Sequence, residues 1–218
     1  MNAEVIMIST VIFDLDGLLA DTETLQMRAY QQALLTYGVV VTDAEYASHW
    51  IGAGLGISEF VYYQRLSLEP NIVRQQKAEL YHELLKTCLK AMPEAPELLA
   101  RLYRRKCLAV ASSSTRVAVE YVLRSLNFAK YFDVIAASED AKLGKPEPDI
   151  FLYVANRLGV APTACIVIED AEKGIVAAQR AGMKSIAVPN RYTQDNDFSA
   201  ASAFVSSLSD VERLVEIL

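Results

Sequence analysis

Four short polar stretches carry the chemistry that this sequence offers. They are Asp14-Leu15-Asp16-Gly17, Ser112-Ser113-Ser114-Thr115, Lys145-Pro146 and Glu169-Asp170. Carboxylates two residues apart in an extended chain face the same way, which brings Asp14 and Asp16 together, with Asp170 as a third acid. Two carboxylates roughly 4 Å apart repel by about 4 kcal/mol at an effective dielectric near 20, so the cluster calls for a cation. The only histidines are His49 and His82, and the cysteines at 88, 107 and 165 lack zinc spacing. That leaves oxygen ligands and points to Mg²⁺. Either acidic pair alone reads as a turn or a helix cap. Both together, at two strand ends of one sheet, favour a metal site.

The hydroxyl run leads into a helix, where Ser112 and Ser113 offer hydroxyls and free N–H groups to an anion, and Ser114 or Thr115 starts the helix. Arg116 is a further anion-binding candidate. Pro146 and Pro148 flank the Lys145 segment and present its ammonium from an extended stretch before a helix start. These parts are what phosphoryl transfer requires. A carboxylate can attack phosphorus, while a cation, a lysine and hydroxyl donors neutralise the equatorial oxygens. A second carboxyl can move the proton.

The elements that must position these groups follow from periodicity. Apolar runs at Ile8 to Phe13, Cys107 to Ala111, Val134 to Ala137, Cys165 to Ile168 and Lys184 to Val188 read as strands, with a short one at Ala203 to Val205. Helical periods fill Glu94 to Arg104, Val117 to Leu126, Ile150 to Leu158, Ala171 to Ala181 and Asp210 to Leu218. This alternation predicts an α/β fold, a Rossmann-like parallel sheet with helices on both faces. Ligands of such a sheet bind beyond the carboxyl ends of the strands, where the polar stretches lie. Between the first and second strands the pattern is helical only: Thr22 to Leu35, Glu59 to Leu66 and Val73 to Leu89, with Gly52, Gly54 and Gly56 marking a loop. The expected organisation is a core of residues 1–21 and 91–218 with an inserted helical subdomain at 22–90. Trp50, Tyr62, Tyr63 and Tyr81 read as the aromatic core of that insert. Gly52 to Gly56 does not match a dinucleotide fingerprint, and no strand precedes it.

Composition narrows the class. The chain has 218 residues, 52% apolar and 22% charged, enough for a sizeable core. Its net charge is 21 − 27 = −6 with no basic stripe, which argues against nucleic-acid binding. The three cysteines read as reduced and mostly buried. The apolar stretch from Val5 to Phe13 is too short for a membrane span and lacks a basic leader or a cleavage site. The expectation is a soluble, cytoplasmic protein, monomer or homodimer, acting without membrane or nucleic acid.

Taken in order, the motifs resemble a known family. Phe13-Asp14-Leu15-Asp16-Gly17-Leu18-Leu19-Ala20-Asp21-Thr22-Glu23 is similar to the first motif of the haloacid dehalogenase (HAD) superfamily, in its phosphatase and phosphomutase branch. Ala111 to Ser114 resembles the second motif, Gly144 to Asp149 the third and Ile168 to Ala171 the fourth. The resemblance implies an HAD-like core with a C1-type helical cap, a lid that excludes water and reads the substrate. It implies Asp14 as nucleophile and Mg²⁺ ligand, and Asp16 as acid/base and metal ligand through its carbonyl. It also implies Ser112 and Lys145 as phosphoryl holders, Asp170 as metal ligand, and Glu169 as ligand or neighbour. The implied activity is Mg²⁺-dependent hydrolysis of a small phosphorylated metabolite through an aspartyl-phosphate. A β-phosphoglucomutase-type mutase is the alternative, and a phospho-accepting switch domain is the non-enzymatic one. In the mutase pattern a His follows the nucleophile by twelve residues. Here that residue is Gln26.

Overall fold

A computed structural model describes residues 7–218; the beginning of the apolar stretch read from Val5 lies outside them. Six strands form one sheet: β1 (Thr10–Phe13), β2 (Cys107–Ala111), β3 (Val134–Ala136), β4 (Cys165–Glu169), β5 (Lys184–Ala187) and β6 (Ala203–Phe204). Their order is β3-β2-β1-β4-β5-β6, and every pairing is parallel. The α/β, Rossmann-like reading is therefore correct. β1, β2 and β4 are apolar because both of their faces are covered, and all four residues of β1 are buried.

One face packs Ile12, Ala109, Ala111 and Val167 against Phe151 and Val154 of α7 (Asp149–Leu158) and Ala177 and Ala178 of α8 (Glu172–Arg180). Alternation turns Val11, Phe13, Val110 and Ile168 to the other face, where they are also fully buried. The remaining core helices are α5 (Ala95–Leu102), α6 (Arg116–Ser125) and α9 (Val211–Ile217), each with an apolar stripe that is buried.

The chain separates into two compact units, one running to Ala20 and resuming at Ala91–Leu218, the other Asp21–Lys90. Asp21 falls with the second unit, where its N–H donates to Lys90 O at 3.0 Å and its carboxylate accepts from Thr24. That unit is helical throughout: α1 (Thr22–Leu35), α2 (Asp43–Tyr46), α3 (Ile57–Tyr63) and α4 (Pro70–Cys88). Gly38, at φ +74°, ends the first of these turns. A capping box opens α2, with Glu45 N–H on Thr42 Oγ1 and Thr42 N–H on the Glu45 carboxylate. Gly52 closes a π-helical turn, Ala47–Gly52, so the glycine-marked loop is shorter than expected.

Two expectations about burial are corrected. Tyr62 and Tyr63 are 77% and 62% exposed, because α3 turns Ile57, Phe60 and Val61 inward at helical spacing and leaves the next two residues outside. The aromatic cluster is instead Trp50 with Tyr46, Tyr30 and Phe60, at ring distances of 5.1, 4.9 and 4.9 Å. Of the cysteines only Cys165 is buried. Cys107, at the start of β2, is exposed and Cys88 is intermediate; all three are free. Among the described residues no helix is long and apolar enough to cross a membrane.

Candidate active site

The strand order sends the chain outward from β1 through β2 to β3, then back across to β4 on the other side of β1. This reversal creates a crevice at the carboxyl ends of β1 and β4. Register sets the level of the groups that line it. Phe13 pairs with both Val110 and Ile168, so the next residues, Asp14, Ala111 and Glu169, emerge side by side. The Lys145 ammonium binds all three. Its Nζ lies 2.6 Å from Asp14 Oδ1, 2.9 Å from Ala111 O and 2.6 Å from Glu169 Oε1. An ammonium has three donors, and here each has an acceptor on a different strand. The Lys145 side chain is 2% exposed and lies over the Phe151 ring.

Electrostatics follow from this burial. Desolvation raises the Asp14 pKa to about 7; the nearby Glu169 and Asp16 charges push the same way, while Lys145 opposes them. Burial disfavours the charge on Lys145, yet the Asp14 and Glu169 carboxylates outweigh it and hold the ammonium above its ordinary range. Asp14, Glu169 and Asp170 form a buried cluster whose ligand atoms lie within 4.8 Å of one another. These carboxylates crowd together with Lys145 as the one ammonium bonded to them, and the repulsion among them is what a bound cation would relieve. The donor set is oxygen only, with no sulfur or imidazole in the cluster, and so suits a hard ion.

Two glycines make room for these acids. At Gly174, in the first turn of α8, a Cβ would lie 1.8 Å from Glu169 Oε1 and 1.9 Å from its carboxyl carbon. The Glu169 side chain passes over that bare backbone, and its Oε2 accepts the N–H groups of Asp170 and Ala171 at 3.1 Å each. Gly17 has φ +85°, and a Cβ there would meet Asn190 Nδ2 at 2.7 Å and Asp170 Oδ2 at 2.8 Å.

The other predicted residues divide into two groups. Asp16 Oδ2 accepts from Ser112 Oγ at 2.8 Å and Ser114 Oγ at 2.9 Å, and Ser112 Oγ accepts the Ser114 N–H. Ser114, read as a helix start, thus holds a carboxylate, and Thr115 takes the cap position of α6. Arg116 is not brought to the cluster. Its guanidinium pairs with Asp140 and Ile135 O, and its N–H lies on Glu139. Ser113 is exposed. Sequence reasoning missed Asn190, whose Nδ2 donates to Asp170 Oδ2 at 2.7 Å. It lies just past β5, separated by Pro189 from the end of the apolar run, so no polar residue directly at the strand end signals it.

Residues 11–188 match the haloacid dehalogenase-like hydrolase family. Among curated relatives, the chain is 36% identical over 182 residues to a phosphorylated carbohydrates phosphatase of Thermotoga maritima, spanning 81% of this chain and 82% of that protein. It is 32% identical over 179 residues to the fructose-1-phosphate phosphatase YqaB of Escherichia coli, spanning 82% and 95%. The crystal structure of CbbY from Rhodobacter sphaeroides in complex with phosphate aligns with a TM-score of 0.81 at 28% identity, covering 97% of this chain and all of that one. The chain belongs to the haloacid dehalogenase-like hydrolases and is a phosphomonoester hydrolase.

Proposed function

We propose that this haloacid dehalogenase-like hydrolase is a Mg²⁺-dependent phosphatase of phosphorylated sugars or similarly small metabolites, and that the phosphoryl group passes through Asp14. The observation that carries the reading is the Lys145 ammonium held at once by Asp14, Ala111 O and Glu169, with Asp170 completing a buried cluster of three carboxylates. The substrate class is supported by the relatives, which include phosphatases of fructose 1-phosphate and of phosphorylated carbohydrates.

In the first step an Asp14 carboxylate oxygen attacks phosphorus, the bond to the leaving alcohol breaks, and Asp16 gives that oxygen its proton. In the second, water attacks the phosphorus, Asp16 takes a proton from it, and phosphate leaves Asp14 as a carboxylate again. The charge of Lys145 offsets that of the phosphoryl oxygens, and Ser112 orients them once its hydroxyl turns from Asp16, in a buried site where such contacts are strong. Asp14, Asp170, Glu169 and the Asp16 carbonyl would hold Mg²⁺. Once bound, the ion offsets charge on the transferring group. The helical unit is read as a C1-type cap that selects the substrate. A mutase reading finds less support. Gln26 accepts a hydrogen bond from Lys77 and has no group that gains or loses a proton near neutral pH.

The test is phosphate release from hexose and pentose monophosphates, phosphoglycolate and nucleotides, with Mg²⁺ or with chelator. A further arm supplies β-glucose 1-phosphate with a trace of glucose 1,6-bisphosphate. Mg²⁺-dependent release from sugar phosphates, and label trapped on Asp14 in an acid-quenched Asp16→Asn protein, are the expected results. Full turnover in chelator, or glucose 6-phosphate with little free phosphate, would overturn the reading.

A further inference from the structure

The loop after β5 reaches the acidic cluster through one side chain. Asn190 Nδ2 donates to Asp170 Oδ2 at 2.7 Å and to Gly17 O at 3.1 Å. Its Oδ1 accepts the Tyr192 N–H at 2.8 Å. These partners settle the orientation of the amide. Two acceptors on one side and a donor on the other allow only one assignment of O and N. The loop itself is tied down: Asn190 N–H donates to Thr193 Oγ1 at 3.0 Å, Thr193 N–H returns to Asn190 O at 3.1 Å, and Thr193 is buried. Asn190 thus joins the loops that follow β1, β4 and β5. The bond to Asp170 runs over Gly17, where a Cβ would meet both of its ends.

We propose that Asn190 is a positioning residue that fixes the Asp170 carboxylate in the orientation that receives a divalent cation. The inference rests on the reading that the Asp14, Glu169 and Asp170 cluster holds such an ion. A carboxylate with one oxygen held by an amide donor keeps its plane when the ion leaves, so binding does not have to order it first. Partners one step behind a ligand commonly change metal affinity by about 10- to 100-fold. The amide adds no charge, so its contribution is orientation rather than attraction. It also cannot accept from or ligate anything on the Asp170 side, where only its N–H groups point.

The test is titration of the full chain with Mn²⁺ alone, free ion being read by electron paramagnetic resonance, alongside thermal unfolding in chelator. Asn190→Ala is expected to unfold near the wild-type temperature yet bind Mn²⁺ at least about 10-fold more weakly. In an Asp170→Ala background the same change should cost nothing further, since the carboxylate it orients is gone. Where Asn190→Ala lowers the unfolding temperature, Asn190→Ser replaces it. Serine keeps an oxygen for the Tyr192 N–H but does not reach Asp170. Unchanged Mn²⁺ affinity in the variants, or losses that multiply when combined with Asp170→Ala, would overturn the inference. A wild-type chain that binds no Mn²⁺ would instead remove the cation reading on which it rests.

Discussion

Among the described residues the buried ion pairs lie in the α/β unit, which also carries exposed ones such as Arg180–Glu147, whereas the helical unit keeps its ion pair in solvent. In the α/β unit, Lys145 and Glu169 are each 2% exposed at the side chain and Asp14 is 10% exposed, with Lys145 bonded to both carboxylates. In the helical unit, Lys86 and Glu83 form an ion pair with side chains 45% and 68% exposed. Lengthy α4 fully buries only Val73 and Leu85, whereas every residue of β4 is buried. A buried ion pair is a poor device for stability, because desolvation consumes much of the attraction. Its place at the carboxyl ends of three strands supports the proposal that this site serves chemistry rather than stability. The exposed pair carries no such message, since a solvated charge is cheap to place anywhere.

The sharpest break in this comparison comes from Lys145→Met. The methionine fills similar volume but leaves Asp14 and Glu169 facing each other without their shared cation. Turnover should fall roughly 100- to 1,000-fold, the scale of one lost electrostatic contact in a dry site. Stability should fall by about 3–5 kcal/mol, because breaking a buried pair strands a charge. Urea unfolding in chelator and kcat measurement check the two halves. A small stability loss would mean that water reaches the cluster and that the contrast between the units is overstated.

The same contrast governs what could be read from the sequence. Asp14, Lys145, Glu169 and Asp170 were legible because each apolar run stops abruptly and a parallel register brings the next residues level. Arg116 was misleading for a reason invisible in sequence. The acids that take it, Glu139 and Asp140, sit in a short turn after β3, and only the β2–β3 pairing brings them beside it. Asn190 was not legible because Pro189 separates it from the apolar run of its strand. In the helical unit the helices were legible but their inward faces were not. Tyr62 and Tyr63 follow directly on the buried pair Phe60 and Val61, and aromatic type alone did not show that the helical period turns them outward. A strand end with a carboxylate after it leaves less room for such a misreading.

A smaller effect separates glycines in the two units. Gly174→Ala should raise helix propensity by up to about 1 kcal/mol. The new methyl would nevertheless overlap the Glu169 carboxyl, at 1.8 Å from Oε1, and that carboxyl is already bonded to Lys145 and two N–H groups. Overpacking of this kind typically costs about 1–3 kcal/mol, so a net loss is expected together with a drop in kcat. Gly56→Ala, in the helical unit, places a Cβ 3.2 Å from Glu59 Oε2, an exposed carboxylate that caps the Gly56 N–H and has only to give by a few tenths of an ångström. Its unfolding midpoint should barely move. Equal losses at both positions would show that the Glu169 side chain can also move away without cost.

The smallest effect is expected at Lys86→Ala, and it is informative because it should be nearly nothing. Lys86 Nζ lies 2.8 Å from Glu83 Oε1, so distance alone would rank it beside the contacts of Lys145. Three things weaken it. Water solvates both ends, salt screens what attraction remains, and two long side chains lose rotamer freedom to meet. Lys86 also sits in the last turn of α4, where a cation favours the helix dipole, and alanine returns part of that loss through its higher helix propensity. Urea midpoints of Lys86→Ala should match the wild type within error at both low and high salt. A clear loss that vanishes as salt is raised would show that the Lys86–Glu83 pair stabilises the helical unit after all. Distance would then predict the worth of an ion pair here as well as burial does, and the contrast between the two units would have to be drawn from geometry alone.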